Sequence, residues 1–417
     1  MIDIKLLRKD PDFFKRATRD KGYSDSTVDE VIRLDKELRK LINNEDDLRS
    51  KRKSLSAQDR KQSIELKDTL KKVSEKRQLV QVEFNEKIIL IPNPAFQDVP
   101  VGKDEKENKI LRKWHAPRDF TFQPKNHLEL GESLGILNFS AGAKVAGAQF
   151  YYLDNEGAFL ELALVQFTLH TLKKHGFIAS ITPDLARSQY YLGTGYLPKG
   201  DEAQIYTIEE EDLGLIATAE ITLAARHSDE TFNEEDLPVK YAGVSHCFRK
   251  EAGAYGKYSK GLYRVHQFTK VEMFIYTAPE DSEKIHKEML AIEEEIWQKL
   301  EIPYQVLEMC TGDLGSMAAR KYDIEAWMPG RDSYGEVTST SNCTDFQARN
   351  LKIKVKNIAS GTQYLHLLNG TAIAVSRAII AILENNQNED GSINIPEVLV
   401  PYMGGITKIE VRDESKK

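Results

Sequence analysis

Residues 28–91 contain neither proline nor glycine, and a set of mostly apolar residues recurs there at spacings that alternate between three and four. This spacing is the heptad seam of a coiled coil. A polar break near residues 54–63 divides the pattern into two helices of about 28 residues, each about 42 Å long, and so short a break favours an antiparallel hairpin. The seam consists of Val31, Leu34, Leu38, Leu41, Glu45, Leu48, Arg52 and Leu55, then Leu66, Leu70, Val73, Arg77, Val80 and Phe84.

The break in this predicted arm is strongly basic. Residues 49–61 (RSKRKSLSAQDRK) contain six basic residues and one acid, although the whole chain has a formal net charge of −7. One interpretation is the ordinary solvated face of a coiled coil, which is usually rich in charge. The concentration at the tip favours the other, a grip on nucleic acid. Its candidate residues are Arg49, Lys51, Arg52, Lys53, Arg60 and Lys61.

Length and composition limit the remaining possibilities. A chain of 417 residues is too long for one ordinary core, and 41% hydrophobic with 29% charged residues is typical of globular proteins. No apolar run is long enough to cross a membrane, and the N-terminus lacks the apolar core of a secretory signal. The three cysteines form no C-x-x-C pair, so we expect no structural zinc and a reducing, cytoplasmic environment.

Prolines 92, 94 and 100 end the arm, and we expect one domain over residues 1–100 and a second over 101–417. In the second, the pattern predicts helices at 159–175, 279–300 and 371–386. It predicts strands at 177–183, 237–251, 261–276, 302–310, 322–329, 334–342 and 364–370. Because several strands follow one another without a crossover helix, the sheet should be mainly antiparallel.

Charged side chains lie along two of these strands. If 261–276 is one strand, Arg264, Phe268 and Glu272 recur on one face, and Arg249 and Glu251 share a face of the strand before it. A solvated hairpin with ion pairs is one explanation. The other is a surface for a charged ligand, because arginine donates paired hydrogen bonds to phosphate and a flat ring can stack on a base.

Two further features favour the ligand. Arg377 is the only charged residue in the predicted helix segment TAIAVSRAIIAIL, so it should reach solvent or face an anion. In GEVTSTSN (335–342), Glu336 and the neighbouring hydroxyls could hold Mg²⁺, which prefers oxygen ligands.

These segments resemble those of a known family. FRKEAG (248–253) followed by RVHQFTKVE (264–272) resembles motif 2 of the class II aminoacyl-tRNA synthetases, and LNGTAIAVSR (368–377) resembles motif 3. TAE (218–220), TGDLG (311–315), NCTDFQARN (342–350), AILENNQ (381–387) and the ending VPYMGG resemble the seryl-tRNA synthetases in particular. The resemblance covers nearly the whole chain. It implies an α+β fold: an antiparallel two-helix coiled-coil arm that grips tRNA, and a class II catalytic domain with a mainly antiparallel sheet flanked by helices.

The resemblance implies that L-serine reacts with ATP to give seryl-adenylate, and that the seryl group passes to the 3′ end of tRNA(Ser); service to tRNA(Sec) stays open. It implies a homodimer and Mg²⁺ held by Glu336 and Ser339. Arg249 would bind the α-phosphate, Arg264 and Arg377 the γ-phosphate, and these three would be catalytic. The implied ATP contacts are Arg249, Lys250, Glu251, Arg264, Val265, Phe268, Glu336, Val337, Thr338, Ser339 and Arg377. The implied serine contacts are Thr218, Ala219, Glu220, Arg249, Glu272, Asn369 and Thr371.

The chain departs from the family pattern at a few places. Thr371 and Ser376 stand where Ser and Gly are usual, EVTSTSN replaces EISSCSN, and the arm is somewhat short. None of these changes removes a charge that the chemistry requires. Two alternatives remain: a ligase that loads an amino acid onto a carrier protein, against which the arm counts, and a non-catalytic relative, against which the intact charged residues count. The Gly-, Lys- and Tyr-rich connection at 252–260 would contact the tRNA acceptor end.

Overall fold

The computed structural model describes residues 1–55, 59–196, 205–251, 261–357 and 361–412. The predicted acceptor-end contact at 252–260, residues 56–58 of the basic tip and the tail beyond residue 412 therefore lie outside the described residues. Within these ranges the helices are α1 (Ile4–Lys9), α2 (Pro11–Asp20), α3 (Ser26–Lys53), α4 (Arg60–Ile88), α5 (His127–Ser133), α6 (Phe139–Ala146), α7 (Glu156–Lys174), α8 (Ser188–Thr194), α9 (Ala219–Ala225), α10 (Ser282–Lys299), α11 (Phe346–Leu351) and α12 (Val375–Asn385).

The strands are more numerous and several are very short. They are β1 (Lys109–Trp114), β2 (Leu137–Asn138), β3 (Tyr152–Leu153), β4 (Ile178–Ile181), β5 (Leu185–Ala186), β6 (Tyr206–Thr207), β7 (Gly214–Leu215), β8 (Thr231–Asn233), β9 (Val239–Phe248), β10 (Gln267–Thr277), β11 (Tyr304–Glu308), β12 (Arg320–Met328), β13 (Ser333–Asn342), β14 (Lys354–Asn357), β15 (Gly361–Tyr364), β16 (His366–Ala374), β17 (Ile393–Asn394) and β18 (Lys408–Ile409).

Helices α3 and α4 form the predicted arm. Val31, Leu34 and Leu38 of the seam are buried against Val80 and Phe84 of the other helix. Two of the three charged interruptions of the seam, Glu45 and Arg77, pair with each other, whereas Arg52 is exposed at the tip. Glu45 is buried and pairs with Arg77 across the hairpin, Nε to Oε2 at 2.7 Å, and with Arg49 one turn away on α3. The seam is thus closed by an ion pair where an apolar contact would otherwise stand.

The central sheet has eight strands in the order β1-β11-β12-β13-β16-β10-β9-β4. Every neighbouring pair is antiparallel except β4 with β9, which confirms the predicted fold class. Strand β16 is the last of the eight in sequence, yet it lies between β13 and β10. The main core fills one face, where α7, α10 and α12 pack against Val271, Met273 and Ile275 of β10.

Three predicted boundaries are wrong, and each error concerns the site. The second hairpin strand begins at Gln267 rather than 261, because residues 261–263 form a short 3₁₀ turn. The preceding strand ends at Phe248, so Arg249 and Glu251 lie beyond it and do not share a strand face. Residues 371–374 continue strand β16, and the helix starts only at Val375. In the last case, pairing with β10 up to Ala374 overrides the local helical pattern.

The base of the arm is fixed to the sheet domain by polar contacts with backbone carbonyls. Lys21 donates to the carbonyls of Gly315 and Ala318 at 2.9 and 2.6 Å. The Asn93 side chain donates to those of Met317 and Cys343 at 2.9 and 3.0 Å. Within the described part of the chain, no helix is both long and apolar enough to cross a membrane.

Candidate active site

A cavity of about 280 Å³ opens on the sheet face opposite the main core, where β10, β13 and β16 meet. It is dominated by charged and hydroxyl side chains that come from five separate segments. Its lining consists of Arg249, Glu251, Tyr263, Arg264, Val265, Phe268, Lys270, Glu336, Val337, Thr338, Thr371, Ala374, Ser376 and Arg377. The structure therefore brings the three predicted arginines together, although they are far apart in sequence.

Each arginine is held in a different way. Arg377, in the first turn of α12, donates to the Glu336 carbonyl at 2.9 Å and pairs with the Glu336 carboxylate at 3.1 Å. This carboxylate is the anion that the apolar sequence around Arg377 required. Arg264 pairs with Glu251, Nε to Oε2 at 2.6 Å. Arg249 donates to the Ala217 carbonyl at 3.3 Å, and its guanidinium lies 5.2 Å from the Phe268 ring centre.

The prediction that Arg264, Phe268 and Glu272 follow one strand face is half wrong. Strand β10 begins after Arg264, so only Phe268 and Glu272 share a face, with Lys270 between them. Arg264 reaches the cavity from the chain just after the 3₁₀ turn. Its neighbour Tyr263 lies under Arg377, with 4.7 Å between guanidinium carbon and ring centre.

A buried polar cluster adjoins the cavity near the middle of β10. Thr218, the N-cap of α9, donates to Glu272 at 3.2 Å and accepts from Lys270 at 2.7 Å. Lys270 also pairs directly with Glu272. Thr371 of β16 stands opposite Glu272 in the strand register. The Lys270 ammonium thus contacts one carboxylate and one hydroxyl, and this polarity suits a small zwitterion.

Glu220 is the second carboxylate of this cluster, next to Ala219 in the first turn of α9. Tyr196, Gln347 and Asn369 donate to it at 2.9, 2.7 and 3.1 Å. Burial, reinforced by Glu272, raises the pKa of Glu220 to about 7 despite these donors. The carboxyl is therefore poised to change charge near neutral pH.

Sequence reasoning missed three residues of this cluster. Lys270 lies within the segment RVHQFTKVE, but no contact with ATP or serine was predicted for it. Alternation along β10 places it on the same face as Phe268 and Glu272, between them. Gln347 lies inside the recognised segment NCTDFQARN, and its neighbours gave no sign of a contact with Glu220. No local pattern distinguishes Tyr196, which follows the end of α8.

The predicted cation ligands lie on β13. Its pairing with β12 contains a bulge at Val337, since Thr338 pairs with Ile324 and Glu336 with Glu325. In a regular strand Glu336 and Ser339 would face opposite sides, but here both lie near Asp323, which is hydrogen-bonded to Ser339. Arg377 and two further cations outweigh partial burial and hold the pKa of Glu336 below its usual range.

The remaining predicted ATP contacts fall into two groups. Val265, Val337 and Thr338 line the cavity, but the Thr338 hydroxyl points below the sheet and donates to Glu293 at 3.2 Å. Lys250 is exposed, and its ammonium lies 5.7 Å from the Tyr206 ring centre, outside the cavity lining.

The predicted tRNA contacts lie at the free end of the arm. Lys51, Arg52 and Lys53 end α3 and are exposed, as are Arg60 and Lys61 at the start of α4. Arg49 is also exposed, although it pairs with Glu45.

Comparison with known proteins gives a consistent result. A model of the seryl-tRNA synthetase N-terminal domain matches residues 1–95, and a model of the tRNA synthetase class II core domain (G, H, P, S and T) matches residues 205–386. The serine–tRNA ligase of Rubrobacter xylanophilus is 51% identical over 416 residues, which cover 97% of this chain and 98% of that protein. That of Dictyoglomus turgidum is 50% identical with the same coverage.

Solved structures agree. The seryl-tRNA synthetase from Pyrococcus horikoshii complexed with ATP superposes with a TM-score of 0.92 at 40% identity, covering 99% of this chain and 100% of that one. The cytoplasmic serine–tRNA ligase from Naegleria fowleri in complex with AMP gives 0.88 at 34% identity, covering 99% of each chain.

The raised pKa of Glu220 makes a prediction about stability. The folded protein holds this proton up to about pH 7, whereas the unfolded chain loses it near pH 4.5. The associated stability is therefore complete below pH 4.5 and is lost as the pH rises through 7. The Glu220→Gln variant cannot lose this proton. Between pH 5 and pH 8, we therefore expect its free energy of unfolding to rise by about 1–3 kcal/mol relative to that of the parent.

Urea denaturation without ligands measures this shift. Glu280→Gln, at an exposed carboxylate, serves as the control and should show no change with pH. A Glu220→Gln difference that is the same at both pH values would contradict the raised pKa.

Proposed function

The chain belongs to the seryl-tRNA synthetase family, and from this premise we propose how its residues activate serine and deliver it to tRNA. The enzyme is a serine–tRNA ligase that uses ATP. The observation that carries the residue assignment is the convergence of Arg249, Arg264 and Arg377 on one cavity beside a buried carboxylate cluster. The N-terminal match over residues 1–95 disfavours the carrier-protein alternative.

In the first step, a serine carboxylate oxygen attacks the α-phosphorus of ATP. The bond from this phosphorus to the bridging oxygen breaks, and pyrophosphate leaves with the electron pair. Positioning and fixed positive charge supply the catalysis, because negative charge accumulates around the five-coordinate phosphorus. Arg249, which lies nearest the serine cluster, binds the α-phosphate. Arg264 and Arg377 bind the γ-phosphate of a bent ATP.

The adenine stacks on Phe268, opposite the guanidinium of Arg377, and Glu251 lies near the base. Binding of ATP requires that Arg264 and Arg377 exchange their carboxylate partners for phosphate oxygens. This exchange is favourable because both cations already face the cavity, so little reorganisation is needed. The Pyrococcus horikoshii relative was solved in complex with ATP, which supports binding of ATP by this chain.

Glu336 and Ser339 fit a magnesium site. One carboxylate and one hydroxyl are the sparse protein donor set that Mg²⁺ takes when phosphate oxygens and water complete its shell. The bulge at Val337 brings both residues to Asp323, which orients the Ser339 hydroxyl. When bound, the ion neutralises charge on the leaving pyrophosphate.

The serine occupies the cluster around Glu272. Its ammonium replaces that of Lys270 as a partner of the carboxylates, and Thr218, Glu220 and Thr371 surround the amino acid. Asn369 holds Glu220. Because the pocket hydrogen-bonds the substrate hydroxyl, alanine would leave buried polar groups unpaired and bind poorly. In the second step, a terminal hydroxyl of the tRNA adenosine attacks the seryl carbonyl carbon, and AMP leaves.

Arg249→Ala tests the first step. Loss of one preorganised cation that contacts the reacting phosphate should lower the rate of serine-dependent ATP–pyrophosphate exchange by about 10²–10³-fold. Arg39→Ala, on the exposed side of the arm, is the matched control and should exchange normally. Near-normal exchange in Arg249→Ala would refute its assignment.

The arm binds tRNA. We assign residues 1–100 to a tRNA-binding domain and residues 101–417 to the catalytic domain. The exposed cations at the ends of α3 and α4 contact tRNA phosphates, which bind basic side chains through release of condensed counterions. Because the arm tip is remote from the adenylation cavity, loss of a contact there would lower the aminoacylation of tRNA but not the formation of seryl-adenylate.

Neutralising Lys51, Arg52 and Lys53 to glutamine separates the two activities. Aminoacylation of tRNA(Ser) should lose at least about tenfold in kcat/KM. The slope of log(kcat/KM) against the logarithm of the salt concentration should become shallower by about two to three. ATP–pyrophosphate exchange should not change. The control replaces the exposed Lys103, Lys106 and Lys109 of the catalytic domain. Equal losses in both assays would mean that the arm is structural. The same assay with a selenocysteine tRNA transcript tests whether that tRNA is also charged.

The protein forms a homodimer through α7 and β4. Phe159 and Leu162 are each 57% exposed one turn apart on α7, and Ile178 and Ile181 of β4 are 54% and 89% exposed. Strand β4 is the edge of the central sheet, and an apolar, unpaired edge favours association with another chain. All three cysteines are free and buried, which supports a reducing, cytoplasmic location.

Phe159→Asp combined with Ile181→Asp tests this interface. By light scattering, the parent should have twice the chain mass of 47.4 kDa, and the variant should have the mass of one chain. Leu79→Asp with Val101→Asp, at exposed apolar residues of the arm and of residues 101–108, should remain dimeric. A parent of single-chain mass, or a variant that stays dimeric, would refute this interface.

A further inference from the structure

A buried carboxylate behind the ATP cavity has no role in the chemistry proposed above. Glu384 of α12 is 2% exposed and accepts three N–H donors. Its Oε1 accepts from the backbone nitrogen and the Nδ1 of His127, at 3.0 and 2.9 Å, and its Oε2 accepts from the Gly330 nitrogen at 2.9 Å. Three donors on one buried carboxylate make a strong and directional anchor.

His127 passes this constraint to the chain that enters the cavity. Because its Nδ1 donates to Glu384, its Nε2 is free to accept, and the Leu262 nitrogen donates to it at 3.3 Å. Leu262 is the centre of the 3₁₀ turn that precedes Tyr263 and Arg264. The ring therefore connects α12 to the segment that returns to β10.

Two glycines permit this close approach. Gly261 has φ +66°, and a Cβ there would lie 2.2 Å from His127 Nε2. A Cβ at Gly330 would lie 2.7 Å from the Asn126 Cα and 3.0 Å from the Glu384 carboxyl carbon. Any other residue at either position would displace the histidine or the carboxylate, so the contact is built into the backbone.

Both ends of the anchor meet at Tyr263. Its ring lies 4.8 Å from the guanidinium of Arg331, the residue after Gly330, and 4.7 Å from that of Arg377. Glu384 stands seven residues after Arg377, which is two helical turns and the same face of α12. Glu384 thus fixes both the turn that carries Tyr263 and the segment that carries Arg331, and it lies on the same helix as Arg377.

We propose that Glu384 and His127 are positioning residues for ATP: they hold Tyr263 and Arg264 in register with Arg377. The pair contacts neither substrate. It acts by keeping the return segment docked, so that the backbone that carries Arg264 need not move when the arginine side chains exchange their carboxylate partners for phosphate. The inference rests on the proposed roles of Arg264 and Arg377, and it concerns ATP rather than serine.

The test compares KM values in ATP–pyrophosphate exchange. His127→Phe keeps a ring but removes both hydrogen bonds, and it should raise the KM for ATP at least about fivefold while the KM for serine changes less than twofold. His127→Gln retains a donor and an acceptor and should recover most of the loss. Glu384→Gln should act in the same direction, and the double variant should be no worse than the poorer single one, because both changes break the same chain of contacts.

A purely structural role would give a different result. If the KM values for ATP and serine rise together, or if the loss follows the melting temperature across the variants, the inference is overturned. If His127→Phe does not fold, the ratio of the two KM values in Glu384→Gln decides alone. Arg264→Ala is measured in parallel: an unchanged KM for ATP in that variant would refute the proposed function instead, whatever the His127 variants do.

Discussion

Three of the four cations that line the active-site cavity are paired with acidic side chains of the same site before any substrate is present. Arg264 pairs with Glu251, Arg377 with Glu336, and Lys270 with Glu272. Only Lys270 and Glu272 are both buried, and an unpaired charge there would be costly, whereas the two arginine pairs are partly exposed and are screened by solvent. In the mechanism proposed above, the arginine pairs open to admit the phosphates of ATP, and the lysine pair opens to admit the ammonium of serine.

The sequence predicted the members of this site better than their geometry. The resemblance to the family's motifs identified the arginines and the carboxylates of the site, and strand alternation placed Phe268 and Glu272 together. It failed for Arg264, because the chain enters β10 only at Gln267. The proximity of Glu336 to Ser339 depends on a one-residue bulge, and the conformational preference of Val337 does not predict it.

Long-range contacts escaped prediction for the same reason. Gln347 reaches Glu220 across 127 positions and His127 reaches Glu384 across 257, and neither distance leaves a periodic trace in the sequence. The arm was the opposite case. Its heptads are local, so its extent and its antiparallel pairing were predictable, and two of its three charged interruptions form one contact. Glu45 and Arg77 each break one seam, and together they form a contact that fixes the register of the two helices.

The position of β16 has a consequence for how this enzyme comes into being. This strand and the helix after it supply Thr371 and Arg377, and the strand separates β13 from β10. Until residue 374 has been synthesised, the strands on the β13 side and those on the β10 side cannot be joined into one sheet, and the cavity between them is incomplete. Pairings between such distant segments also close late, because the entropy of a long loop must first be overcome. A growing chain of this ligase therefore remains inactive through most of its own translation, and its active site can form only when synthesis is nearly complete.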